Sequence, residues 1–223
     1  MRFVVQPEVF NALPNACFGA VIARGVDNNQ DNLFLRDLLE SAAQEVESEF
    51  KNTNIKESEF IRPYREAFQS LDMNPNKFPP SIESLISRIA KGKGMPSINP
   101  LVDMGNTISL LHRIPVGAHA MPDHAVSGDS APPLEVRFSR EGDSFIPFGG
   151  EKTETLDPGE LVYAVADEIR TRKWIWRQSE RGKITSSTTN VIFPMDGFIK
   201  NRTQMEEALE ELSNLIEKNF HIK

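Results

Sequence analysis

Cysteine is almost absent from this 223-residue chain, with Cys17 the single one. One thiol cannot form an intramolecular disulfide, so the core must hold by packing, and the usage fits a reducing compartment. Cys17, in "LPNACFGAV", reads as a small buried hydrophobe rather than a reactive thiol. Long apolar runs are missing too. The N-terminal "MRFVVQPEVFNALPNA" has no signal-peptide core, and nothing approaches the ~20 residues of a membrane helix. These absences point to a cytoplasmic protein with no membrane association. There is no Gly-x-Ser-x-Gly nucleophile elbow and no Walker spacing, since "KGKG" at 91–94 reads as a helix stop. His112, His119, His124 and His221 lack ligand spacing, so no metal and no cofactor is expected.

Excess positive charge is also lacking. The net charge is −7, which argues against indiscriminate nucleic-acid binding. That charge is uneven, however. In "RTRKWIWRQSERGK" (170–183), six basic residues against Glu180 give +5, which leaves −12 for the rest. Such a segment suits an anionic partner, and Arg172, Lys173, Arg181 and Lys183 are candidate contacts to an RNA backbone. Period-two alternation places Trp174 and Trp176 on one side of a strand there. Either both are core residues, or Trp176 sits by a pocket with Arg177 set to meet a phosphate or carboxylate.

Hydrophobic residues at 39% and charged residues at 26% describe an ordinary soluble globular chain. Residues 1–25 read as strand, loop, strand. Helices are expected from Asn32 to Phe50, from Ile61 to Leu71, and after a Ser81 cap in "SIESLISRIAKGKG". Short β-rich segments follow ("LEVRFSREGDSFIPFGG", "ELVYAVAD", "KWIWRQS", "TTNVIF"), and "TQMEEALEELSNLIEKNF" closes the chain as a docking helix. The reading is one α+β domain over 1–223.

"INPLVDMGN" (98–106) places Asn99, Asp103 and Asn106 around a short apolar core. Asn99 reads either as a turn or helix cap or as part of a pocket. Asp103 and Asn106, three apart, face one direction on a helical turn.

The order of pieces from Arg62 onward resembles something specific. "IRPYREAF", "KFPPSIESLISRIAKGKGMPSINPLVDMGNTISL", "IPVGAH", "LEVRFSREGDSFIPFGG", "PGELVYAVAD" and "WIWRQSERGKITSSTTNVIF" follow one another as in the B3/B4 domain of the bacterial phenylalanyl-tRNA synthetase β subunit, in free-standing form. The resemblance covers about residues 60–195, leaving an N-terminal strand-helix extension and the C-terminal helix outside it. It implies a mixed or antiparallel, barrel-like β core flanked by helices. In the synthetase, that module hydrolyses tRNA-Phe wrongly charged with tyrosine. The family's Asn-Asn-Val-Val-Asp-x-Thr-Asn matches here at Asn99, Val102, Asp103 and Asn106, with Gly105 in place of the threonine. Asn106 falls on a pocket-lining position, and Asp103 belongs to the same motif. The family's pocket histidine aligns without a gap on Gly117, and a two-residue slip would recruit His119. Its glutamate aligns on Pro194, with Asp196 the nearest acid. The resemblance thus implies a tRNA or aminoacyl-tRNA partner and a trans-acting deacylase, without full synthetase activity. With those two positions changed, the alternative is a non-catalytic module for an amino acid, a small ligand or a protein.

Overall fold

The structure, a computed structural model, describes residues 2–29, 31–121 and 132–220. His124 and His221 of the sequence reading lie outside them. The chain opens with β1 (Phe3–Val5), α1 (Pro7–Ala12) and β2 (Ala16–Arg24), and four helices follow: α2 (Leu33–Phe50), α3 (Arg62–Ser70), α4 (Ser81–Ala90) and α5 (Pro100–His112). Then come β3 (His119–Ala120), β4 (Leu134–Phe138), β5 (Ser144–Phe145), β6 (Glu154–Thr155), β7 (Leu161–Val165), β8 (Glu168–Arg172), β9 (Arg177–Gln178), β10 (Asn190–Phe198) and α6 (Arg202–Asn219). The fold is α+β, as expected.

Two sheets form the β core. The larger runs β1-β4-β7-β8-β5-β6, with β9 added to β8; β1 lies parallel to β4 and β5 to β8, and its other pairs are antiparallel. The smaller is antiparallel, with β10 between β2 and β3. One apolar cluster joins α2, α3 and α4 to β1, β4, β7 and Trp174. A second packs α5 and α6 against β2 and β10, with Met205, Leu212, Leu215 and Ile216 giving α6 its buried stripe.

Side-chain caps start two of the helices, α2 and α5. Asn32 caps α2 by accepting from the Leu35 N–H at 3.1 Å. "INPLVDMGN" proves to be the start of α5: Asn99 accepts from the Val102 N–H (3.1 Å), and Pro100 takes the first helical position, where a missing N–H costs nothing. Asp103 is spent on the incoming loop, accepting from the Ile98 N–H (2.7 Å) and the Ser97 hydroxyl (2.5 Å).

Three readings need correction. The expected loop after β1 holds α1, because Val9 and Leu13, one turn apart, both drop into the core. Ser81 does not cap α4; Pro80 precedes the helix, and the Ser81 N–H instead meets the Ile175 carbonyl at 2.8 Å. "KWIW" is a turn between β8 and β9 rather than a strand. Lys173 and Trp174 adopt left-handed φ of 49° and 58°, so the period-two alternation fails there.

Candidate functional site

A cavity of about 100 Å³ opens where the β3 edge of the small sheet meets the β7, β8 and β9 side of the large one. Part of its floor is one residue of β10. Pro194 sits in a central strand, where proline removes a ladder donor. Its carbonyl accepts from the Gly117 N–H at 2.9 Å, and Val116 bridges to Met195, so the strand of Gly117 runs along β10 in the register that pairs His119 with Ile192. Gly117 and Pro194 therefore face each other as the floor. A Cβ on Gly117 would stand 3.0 Å from Pro194 Cγ and 3.3 Å from His119 Nε2.

His119 and Asp196 each lie two residues beyond these floor positions, which in a strand means the same face. Because the strands are antiparallel, they flank the floor from opposite ends. The Gly117–Pro194 floor is thus bracketed by two residues that supply polar groups.

Asp196 is 1% exposed. Its Oδ1 accepts from the Tyr163 hydroxyl at 2.6 Å and the Trp174 indole N–H at 2.7 Å, and its backbone carbonyl accepts from the Tyr64 hydroxyl at 2.9 Å. Oδ2 has no hydrogen-bond partner among the described residues. Burial pushes the carboxyl up from 3.8 to about 7, against the two bonds, which favour the charged form. The same burial, with the Asp196 charge beside it, raises the Tyr163 phenol well above its usual range.

His119 is equally buried. Desolvation, then the positive charge of Arg170, pull it down to about 3, so the imidazole is neutral at physiological pH. Its Nδ1 is buried without a partner, and Nε2 is 3.5 Å from Thr171 Oγ1, too long for a strong bond. The ring lies tilted against Tyr163 with centroids 6.1 Å apart.

Trp174 is a fully buried wall, packed among Tyr64, Phe68 and Phe198. Trp176 is half-buried, lines the mouth and meets Phe78 edge-on at 4.8 Å. Arg177, between the lining residues Trp176 and Gln178, is exposed, lies 5.9 Å from the Trp176 ring, and has no carboxylate partner among the described residues.

Gly117, His119 and Trp176, of the residues singled out in the sequence, thus come together at the cavity. Asp103, Asn106 and Arg177 are not among its lining residues, and Asn106 is half-buried on α5 without a recorded hydrogen bond to a described residue. Sequence reasoning missed Tyr163, Trp174 and Thr171 as lining, and noted Asp196 only as the nearest acid.

The basic segment is largely compensated. Arg172 pairs with Glu160 and Glu154, both at 3.0 Å, and Lys173 pairs with Glu160 at 2.8 Å. Burial works against a charge on Glu160, but the hydrogen bonds from Arg172 and Lys173 outweigh it and hold the carboxyl below its usual value. Arg181 binds Ser144 Oγ (2.9 Å) and lies 3.6 Å from Glu168; Lys183 pairs with Glu180 at 3.0 Å.

No group of three or more His, Cys, Asp or Glu suited to a metal ion occurs among the described residues, and no described helix is long and apolar enough to cross a membrane.

In comparison with known proteins, the family model described as "B3/4 domain" matches residues 63–221, a stretch that contains every lining residue of the cavity and extends through α6. No curated protein matches. Among solved structures, an N-terminal fragment of the phenylalanyl-tRNA synthetase β-subunit from Pyrococcus horikoshii is similar at a TM-score of 0.42 and 11% identity. That match covers 95% of this chain and 49% of the other, so the chain spans about half the length of that structure.

Proposed function

Because the chain belongs to the B3/4 domain family, we propose that it receives the acyl end of an aminoacyl-tRNA at this cavity and hydrolyses the ester there in trans, in the cytoplasm. The observation behind the reading is Asp196, a buried carboxyl with only one oxygen hydrogen-bonded, at one end of a cavity whose other end is bounded by a neutral histidine.

An aminoacyl ester is already activated, so a positioned water, a base and a donor to the developing oxyanion suffice. Asp196, held near 7, supplies the base: Oδ2 takes the proton from water while Tyr163 and Trp174 fix Oδ1. His119, neutral, offers one ring N–H to the ester oxygen. Trp176 stacks on the terminal base, which contributes ~1–3 kcal/mol in single-stranded binders. Arg177 meets a phosphate beside it, and Arg172, Lys173, Arg181 and Lys183 are outer backbone contacts whose charge is shared with carboxylates.

The test is deacylation of a panel of mischarged tRNAs by the wild type and by Asp196→Asn. A positioned general base contributes roughly 10²–10⁴-fold, so the variant should lose at least 100-fold. No acceleration over buffer with any substrate removes the enzymatic reading.

A second reading, a non-catalytic amino-acid, small-ligand or protein-binding module, draws on the sequence resemblance, in which Gly117 and Pro194 fall where the family's histidine and glutamate are expected. Ligand-induced thermal shift discriminates. Saturation at 100 times the dissociation constant adds ~2.7 kcal/mol, or roughly 5–10 °C for a chain of this size.

A further inference from the structure

The cavity also constrains which acyl group it admits. We propose that it is a size filter that accepts glycyl, alanyl and seryl groups and excludes aromatic ones, with Gly117 setting the depth of its floor. The inference rests on the reading above, that an aminoacyl end enters here.

Volume is the first argument. The cavity measures about 100 Å³, whereas pockets that enclose drug-sized ligands run roughly 300–1,000 Å³. A space of that size holds only a few non-hydrogen atoms. The amino group, α-carbon and short side chain of an alanyl or seryl unit match that. A phenol or benzyl group does not.

The walls are the second. Trp174 is fully buried among three aromatic rings, and both its N–H and the Tyr163 hydroxyl are anchored on the same Asp196 oxygen. Widening the cavity on that side requires breaking these bonds inside a closely packed core, where there is no space for the rings to move into.

The floor is the third. Gly117 is not among the residues with positive φ, so its backbone conformation does not require glycine. What a methyl group there would occupy is the space between Pro194 Cγ and His119 Nε2. The glycine therefore keeps the floor open, while the Pro194 ring opposite limits it. The polar end beside His119 suits a small, hydrophilic group, since His119 and Thr171 can meet a seryl hydroxyl.

The experiment measures deacylation of tRNAs carrying glycine, alanine, serine, valine, phenylalanine and tyrosine by the wild type, Gly117→Ala and Pro194→Ala. The small groups should react at least tenfold faster than the aromatic pair. Gly117→Ala should lose at least tenfold on alanyl and seryl esters while melting cooperatively, and Pro194→Ala should gain on the valyl ester. The wild-type series needs no variant, so a folding failure cannot rescue the idea. Equal or faster reaction of tyrosyl or phenylalanyl ester sinks the filter and leaves the deacylase reading standing. In parallel, binding of alaninamide, serinamide and phenylalaninamide is followed by tryptophan fluorescence. If nothing is hydrolysed yet the two small amides bind, phenylalaninamide does not, and Gly117→Ala abolishes binding, the filter stands and the deacylase reading falls. If no ester reacts and no amide binds, both fall.

Discussion

Replacing Asp196 by asparagine should stabilise the protein, and by more at pH 8 than at pH 5. The carboxyl is pushed from 3.8 to about 7 by burial, so the folded state holds a proton that the unfolded chain has already released. Between these values the folded state binds more protons, and the stability it confers falls as pH rises. The loss begins near pH 4 and levels off above pH 7. Integrated from pH 5 to pH 8, the shift is worth about 3 kcal/mol at 1.36 kcal/mol per unit. Asparagine keeps an oxygen for the Tyr163 and Trp174 donors, and it carries no charge to desolvate. Neighbouring groups do not blur the window: His119 titrates near 3, Tyr163 and Tyr64 are raised out of range, and Arg170 stays cationic. Every other titration cancels in the difference between the two proteins. Urea midpoints for both at pH 5 and pH 8 measure it. If the stability difference is the same at the two pH values, or the variant is the weaker protein at pH 8, Asp196 is not a strained buried acid, and its candidacy as a base goes with it.

Tyr163→Phe removes a hydrogen bond that favours the charged carboxylate, so the acid limb of the deacylation pH profile should move to higher pH; an unmoved limb would detach that bond from the chemistry. Asn99→Ala should cost ~0.5–2 kcal/mol through loss of the α5 cap, whereas Asn106→Ala should shift the urea midpoint by the equivalent of about 0.5 kcal/mol or less and leave turnover unchanged. Arg177→Ala should lower the dependence of log affinity on log salt by ~0.7–0.9 if it neutralises a phosphate. Arg172→Ala should lower it by less, because Glu160 and Glu154 already share its charge; equal effects of the two arginines would contradict that distinction.

What the sequence disclosed and what it withheld divide along separation in the chain. Signals that act within one turn were legible: the start of α2 at Asn32, the cap alternative for Asn99, the glycines that end α4, and the apolar stripe of α6 all resolve within a few residues. Charge was misleading for the converse reason. "RTRKWIWRQSERGK" reads as +5, yet Glu160, twelve or thirteen residues upstream of its partners, and Glu154 close the pairs of Arg172 and Lys173, and no local pattern announces a partner that a turn brings round. The site shows the same limit in a more instructive form. Aligned to the family, Gly117 and Pro194 look like deletions of function, because an alignment compares single positions. A strand's side chains share a face at every second residue, so two groups displaced by two positions on paired strands still bracket the same floor. His119 and Asp196 do this, and only the register of the strand of Gly117 on β10 reveals it. Pro194 and Gly117 then acquire a physical sense: they face each other across paired strands, and the missing Cβ at Gly117 leaves the space above the proline ring open.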